Sequence, residues 1–399
     1  MKKKLYFART VKIIAFVLAV LSVTYLLQAY VLKRNDNNTL RMDGFYLEDK
    51  GTLDVVFIGA SDVYAGFASP LAYDKYGFTS YPYATQSSPA NIVLPQIKEV
   101  IKYQNPQMIV VEINAFLYKD NELPTDASNR MFVDNIPFDE VKVQYIQDNY
   151  APDKRIEYYL PIIKYHGSWS DYPWKFKYLL TDLRMRKRGY SLFRGYKTVA
   201  NQFKSPVKTL NGKLADDDAT KPLGVTGQRY LVEMLDYLSA NNIHNVVFTR
   251  FPHIVNDDAY SRFQRCNEAG NIIKSYGYDF INLERYGEQE GFEVDHDFYN
   301  WDHLNIYGSE KLTHYFSDLL VNHYGVIGTA SSLTAEQKAG WQDSVDHYYM
   351  IYHYCEAMIK RRLELGKTGN GGTTVSEDEK SIATIEKYKE KHPDKFAND

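Results

Sequence analysis

Apolar positions occur along the chain in three kinds of run. The first is Ile13 to Leu32, twenty residues without a charge. Lys2, Lys3, Lys4, Arg9 and Lys12 precede it, and Lys33 and Arg34 close it. A helix of that length matches a bilayer core. A cleaved signal peptide has a shorter apolar stretch and a small-x-small site, which Tyr25 to Tyr30 does not offer. The run therefore predicts an uncleaved anchor at 13–32. Its basic flank at 1–12 is expected in the cytoplasm and all that follows outside it. The second kind is short and β-branched: Val55 to Ile58, Met108 to Ile113, Asn245 to Thr249 and Phe280 to Leu283, each read as a buried strand. The third has helical spacing: Asn91 to Tyr103, Thr226 to Asn241, Asp258 to Tyr276 and Gly308 to about Tyr324. Strands alternating with helices predict an α/β domain over 51–326, a three-layer parallel sheet with right-handed crossovers.

Other stretches set the boundaries. Residues 33–50, with Asn35-Asp36-Asn37-Asn38, read as a polar tether. Residues 115–220 break the alternation with aromatics and charges, including Trp169, Trp174, Tyr178, Arg184, Arg186, Lys187 and Arg188. They predict a largely helical insertion over the carboxyl edge of the sheet. Thr334-Ala335-Glu336-Gln337 is a capping box for a helix within 333–365. Residues 366–399 read as a charged tail with no apolar stripe. The formal net charge of -3 gives no basis for nucleic-acid binding. Cys266 and Cys355 are too few for a disulfide framework, and the sequence leaves open whether they pair. No Cys/His cluster has zinc spacing, so neither a metal nor a cofactor is expected.

The chemistry begins at Gly59-Ala60-Ser61-Asp62, where the first strand ends. Ligands of open α/β sheets sit at the carboxyl ends of strands. Ser61 there is a candidate nucleophile whose N–H helps hold an oxyanion, or simply a turn residue that starts a helix. Asn300-Trp301-Asp302-His303-Leu304, before the last helix of the domain, supplies a candidate base in His303. Four further candidates ring the same edge. Asn114 follows the third apolar strand and Ser87 lies in the small polar segment Tyr81 to Pro89. His166 lies in the insertion beside Trp169, and Arg250 ends a strand, for an anionic substrate group or a structural ion pair. Glu112 ends a strand beside the proposed site.

Nucleophile first and histidine last, on such a scaffold, resembles the SGNH/GDSL hydrolase superfamily over residues 52–325. The likeness implies a flavodoxin-like, SGNH-hydrolase-like sheet. The anchor, Tyr81 to Pro89 and Tyr158 to Trp169 resemble a membrane-tethered branch associated with O-acylation of cell-surface polymers, distantly like the proteins of teichoic acid D-alanylation. That likeness implies an O-acyltransferase or esterase acting on a cell-surface polysaccharide or teichoic-acid-like polymer beside a multipass membrane O-acyltransferase. In the family an Asp three residues before the His orients it. Here that place holds Asn300, with Asp302 or Asp297 as substitutes, and Asn114 stands for the family's oxyanion Asn. The alternative is a non-catalytic accessory or polymer-binding protein with a degenerate site.

Overall fold

The computed structural model describes residues 2–27, 36–167, 172–207 and 212–396. Among the described residues seven strands form: β1 Val55–Gly59, β2 Ser80–Ala84, β3 Met108–Glu112, β4 Thr198–Ala200, β5 Val246–Arg250, β6 Phe280–Asn282 and β7 Thr373–Val375. Five make one sheet in the order β2-β1-β3-β5-β6, parallel at every pairing. Every residue of β1, β2, β3 and β5 is buried, as a sheet covered on both faces requires. Alternate side chains divide between the two covers. Val56, Ile58, Ile109, Val111 and Phe248 join helices Val93–Tyr103 and Val225–Ala240 on one face. Val55, Phe57, Val110 and Val247 meet Leu312, Phe316 and Leu320 of helix Ile306–Asn322 on the other.

The described part of the tether expected at 33–50, residues 36–50, is largely core. Residues Asn37–Phe45 form a helix whose last eight residues are all buried. Asp36 is its cap, accepting from the N–H groups of Asn38 and Thr39 at 3.0 Å each. The polar run marks a helix start rather than a linker.

The charged tail likewise docks. β7 pairs antiparallel with β4, and helix Glu379–Lys391 sets Ile385, with Ile382 and Tyr388 beside it, into a third core with Ile351 and Ile359 of helix Ala335–Glu364. Isoleucines three residues apart make a narrow stripe amid Lys and Glu.

The insertion is helical as expected but divides in two. Phe132, Val133, Tyr145 and Ile146 pack with Ile92, Ile97 and Leu231 on one face of the sheet. Residues 192–200 pack against helix Ala335–Glu364, and their neighbours reach the candidate site. Arg184, Arg186 and Arg188 pair with Glu379, with Asp182 and Asp43, and with Glu377. Trp169 and residues 28–32 of the expected anchor lie outside the described residues.

The N-terminal helix is Lys2–Leu26. Its segment Tyr6–Leu26 is long and apolar enough to cross a membrane, and none of it is buried in the protein. Cys266 and Cys355 are both free and buried, in different cores.

Candidate active site

β1 delivers Ser61 to the sheet's carboxyl edge, where it opens helix Ser61–Gly66. The turn requires glycine. A Cβ on Gly59 would stand 2.5 Å from Val63 Cγ2 and 2.9 Å from Glu112 Cβ, closer than packed carbons approach. The N–H groups at the start of a helix have no intrahelical acceptor, so the Ser61 amide faces the same edge as its hydroxyl.

His303 arrives on a closed loop. Phe298 and Leu304 pair as an isolated bridge, and Tyr299 N–H donates to His303 O at 3.0 Å. Asn305 then caps helix Ile306–Asn322 through Tyr307 N–H at 3.0 Å and Gly308 N–H at 3.2 Å. Gly308 fits close against the loop, since a Cβ there would meet Asp297 O at 2.3 Å.

The loop brings His303 Nε2 to 2.7 Å from Ser61 Oγ. His303 Nδ1 lies 2.9 Å from Asn300 Oδ1, which also accepts the Asp302 N–H at 3.0 Å. An amide oxygen only accepts, so Nδ1 carries the proton and Nε2 is free to accept from the serine. Tyr299 stacks on the imidazole with centroids 5.2 Å apart and planes at 9°. Burial presses the His303 pKa down to about 4, against the pull of Asp62 and Asp302. The ring is therefore a neutral base at neutral pH.

A buried knot of charge lies behind the serine. Arg250, at the end of β5, is 0% exposed. It pairs with Glu112 at 3.0 Å and Glu284 at 2.8 Å, and stands 3.8 Å from Asp62 Oδ2. His253 Nε2 lies 3.4 Å from the same Asp62 oxygen. Burial works to raise the Asp62 pKa, but His253, Arg250 and His303 outweigh it and hold the carboxyl below its usual range. Burial, then the Asp62 charge, pushes Glu112 well above its usual range. The negative charge of this part of the knot thus concentrates on Asp62, next in sequence to the candidate nucleophile.

The remaining candidates separate. Asn114 stands at the same edge, half-buried, with its backbone N–H donating to Glu112 Oε2 at 2.8 Å. Ser87 is exposed at a loop tip with φ of 48° and makes no contact with Ser61 or His303 among the described residues. His166 is exposed and turns back on Ile163 O at 2.7 Å, away from the pair. Arg250 is sealed in ion pairs and is not available to a substrate. Asp302 does not orient the histidine: its carboxylate pairs with Arg262 at 2.7 Å. Burial works against ionisation there, but Arg262 outweighs it and holds the Asp302 pKa at about 2. Asp297 is taken by His296 at 2.7 Å and Lys311 at 2.9 Å. Tyr299, stacked on the imidazole, and Tyr64, with Arg41 and Lys197 over its ring, were not singled out from sequence. Tyr64 alone carried a signal, one helical turn after Ser61. Among the described residues no group of His, Cys, Asp and Glu has the arrangement of a metal site.

Comparison with known proteins finds no matching family model, no matching curated protein and no matching solved structure.

Proposed function

We propose that this protein is a membrane-anchored, extracytoplasmic serine acyltransferase or esterase of SGNH type, acting on a cell-surface glycopolymer beside a membrane O-acyltransferase. The observation that carries the reading is the hydrogen-bonded chain Ser61–His303–Asn300, with contacts of 2.7 and 2.9 Å. The strand order β2-β1-β3-β5-β6 agrees with a flavodoxin-like layout, whose switch point falls between β1 and β3. Ser61 and Asn114 follow those two strands. The apolar helix before the domain supports anchoring.

In the proposed reaction Ser61 Oγ attacks the acyl carbonyl while its proton passes to His303 Nε2. The Ser61 N–H receives the oxyanion, with the Asn114 amide as the second donor. Nε2 returns the proton to the departing alkoxide, leaving an acyl-serine and a free alcohol. The second half runs in reverse: a polymer hydroxyl, or water, gives its proton to Nε2 and takes the acyl group, and Nε2 returns that proton to Ser61 Oγ. Asn300 holds the imidazole in the correct tautomer but supplies no charge to the imidazolium, a role left to Asp62.

The test treats the full chain in detergent micelles with a fluorophosphonate probe and an aryl acetate. Labelling and turnover are expected in the wild type and absent in Ser61→Ala. A folded wild-type protein that neither labels nor turns over, even with the membrane partner added, overturns the enzymatic reading. Asn300 in the orienting place then favours the binding role.

A further inference from the structure

Two cations near the candidate nucleophile make no ion pair among the described residues. Arg41 is 5% exposed. Its Nε donates to Gly195 O at 3.0 Å, and its Nη1 reaches Ala84 O at 3.4 Å and Asn38 Oδ1 at 3.5 Å. All three acceptors are neutral. Arg130, Arg194 and Arg250 are as deeply buried, yet each holds a carboxylate within 3.4 Å. Lys197 is half-buried, and its Nζ makes neither an ion pair nor a hydrogen bond among the described residues. Asp36 is the carboxylate whose charge reaches both, and its Oδ1 is committed to capping helix Asn37–Phe45.

Both cations lie over one ring. Arg41 Cζ is 3.6 Å and Lys197 Nζ 5.4 Å from the centroid of Tyr64. The backbone fixes this arrangement, since Lys197 N–H donates to Tyr64 O at 2.9 Å. Tyr64 is one helical turn beyond Ser61, hence on the same helix face, and the Ser61 hydroxyl acts on its phenol. Lys197 in turn is among the charges acting on His303. Both cations therefore lie over the residue one helical turn beyond Ser61.

Buried charges are normally paired. A ring face offsets only part of the cost of taking a cation from water, and here each cation also repels the other. Burial, then Arg41, presses the Lys197 pKa down to about 8, so the ammonium is poised to gain from a counter-charge. An anion between the two groups would relieve both desolvation and repulsion.

We propose that Arg41 and Lys197 form an anion subsite beside Ser61, which takes a phosphate or carboxylate group carried by the substrate next to the acyl centre. Its role in catalysis rests on the acyl-transfer reading, but its ligand does not. Arg41 holds part of the fold together, so Lys197 is the residue to change. Lys197→Met keeps the stem and removes the charge, and Lys197→Arg restores it.

The experiment uses the full chain in detergent micelles at constant ionic strength set with chloride. Inorganic phosphate, glycerol phosphate and acetate are titrated by calorimetry, and each is tested for slowing fluorophosphonate labelling of Ser61. At least one anion class is expected to bind saturably and slow labelling. Lys197→Met is expected to weaken binding by about tenfold or more, as for loss of a charged hydrogen bond, and Lys197→Arg to recover most of it. Preference for the phosphates assigns a phosphate-bearing substrate, and preference for acetate a carboxylate-bearing one. If none of the three binds well above the millimolar range, or Lys197→Met binds as the wild type does, the subsite is refuted while labelling of Ser61 still stands. Lys197-dependent binding without any labelling supports the subsite and removes the nucleophile instead.

Discussion

Two polar assemblies meet at the carboxyl ends of β1, β3 and β5. Ser61–His303–Asn300 is half-buried and joined by neutral hydrogen bonds of 2.7 and 2.9 Å. Arg250 with Glu112, Glu284, Asp62 and His253 is sealed, with none of the five more than 5% exposed, and its charges carry it. Asp62 belongs to both, since it follows the nucleophile in sequence and its charge acts on the base. The difference separates two tasks. Chemistry needs an accessible hydroxyl and a histidine kept neutral. The charges of the knot are held behind those groups, where protein rather than solvent fixes their position.

The largest expected effect comes from cutting the exposed assembly. Ser61→Ala or His303→Ala should lower acyl turnover by at least about a thousandfold, while the urea midpoint stays near that of the wild type. A midpoint that falls with the activity would mean that the pair is part of the scaffold. Next comes the sealed assembly. Arg250→Met leaves Glu112, Glu284 and Asp62 without their cation and should cost about 3–5 kcal/mol in chemical denaturation, as for breaking other buried pairs. A cost below about 1 kcal/mol would put the two assemblies on the same footing.

A third change moves charge from one assembly toward the other. Asn300→Asp places a carboxylate 2.9 Å from Nδ1 and should raise turnover by about tenfold, equivalent to ~1.4 kcal/mol. It should also shift the pH profile. The base must be neutral, so wild-type activity is present above the His303 pKa of about 4 and is lost as pH falls through it. A carboxylate at position 300 stabilises the imidazolium and moves that acid limb upward. An unchanged limb would mean that the residue at 300 does not face the ring.

The last prediction leaves turnover untouched and uses a buried histidine outside both assemblies. Burial lowers the His347 pKa to about 3, below its ordinary value. The folded state therefore excludes a proton that the unfolded chain binds, and stability is lost as pH falls from about 6.5 toward 3, by at most ~1.4 kcal/mol per pH unit for one such group. His347→Phe should flatten part of that slope without changing turnover, as read by denaturation at several pH values.

Legibility in the sequence followed the range of the signal. Ser61 and His303 each carry a local mark: a glycine two residues before the serine at a strand end, and a loop histidine before a helix. Asn300 follows from its spacing. Four strands of the sheet were readable from their apolar runs, because strands buried on both faces have few other compositions. β2 was not, since Ser80-Tyr81-Pro82-Tyr83-Ala84 holds no β-branched residue and its segment reads as a small polar loop, although it pairs along all of β1. Arg250 was not readable as buried, because Glu112 reaches it from the end of β3 and Glu284 from the turn of helix after β6, and only the strand order joins them. Asp36 looked like part of a linker because a cap and a tether draw on the same residues. Lys197 and Arg41 come together through the packing of separate segments over Tyr64, which leaves no trace in spacing.

Helix Asn37–Phe45 also sets a working height. On the anchored reading, the chain from residue 27 to residue 36 spans at most ~32 Å even when fully extended. Arg41 lies five residues beyond the cap, about 7.5 Å along the helix. The cleft is thus leashed within roughly 40 Å of the end of the membrane helix, and on the acyl-transfer reading it serves only those hydroxyls of a surface polymer that come down to meet it.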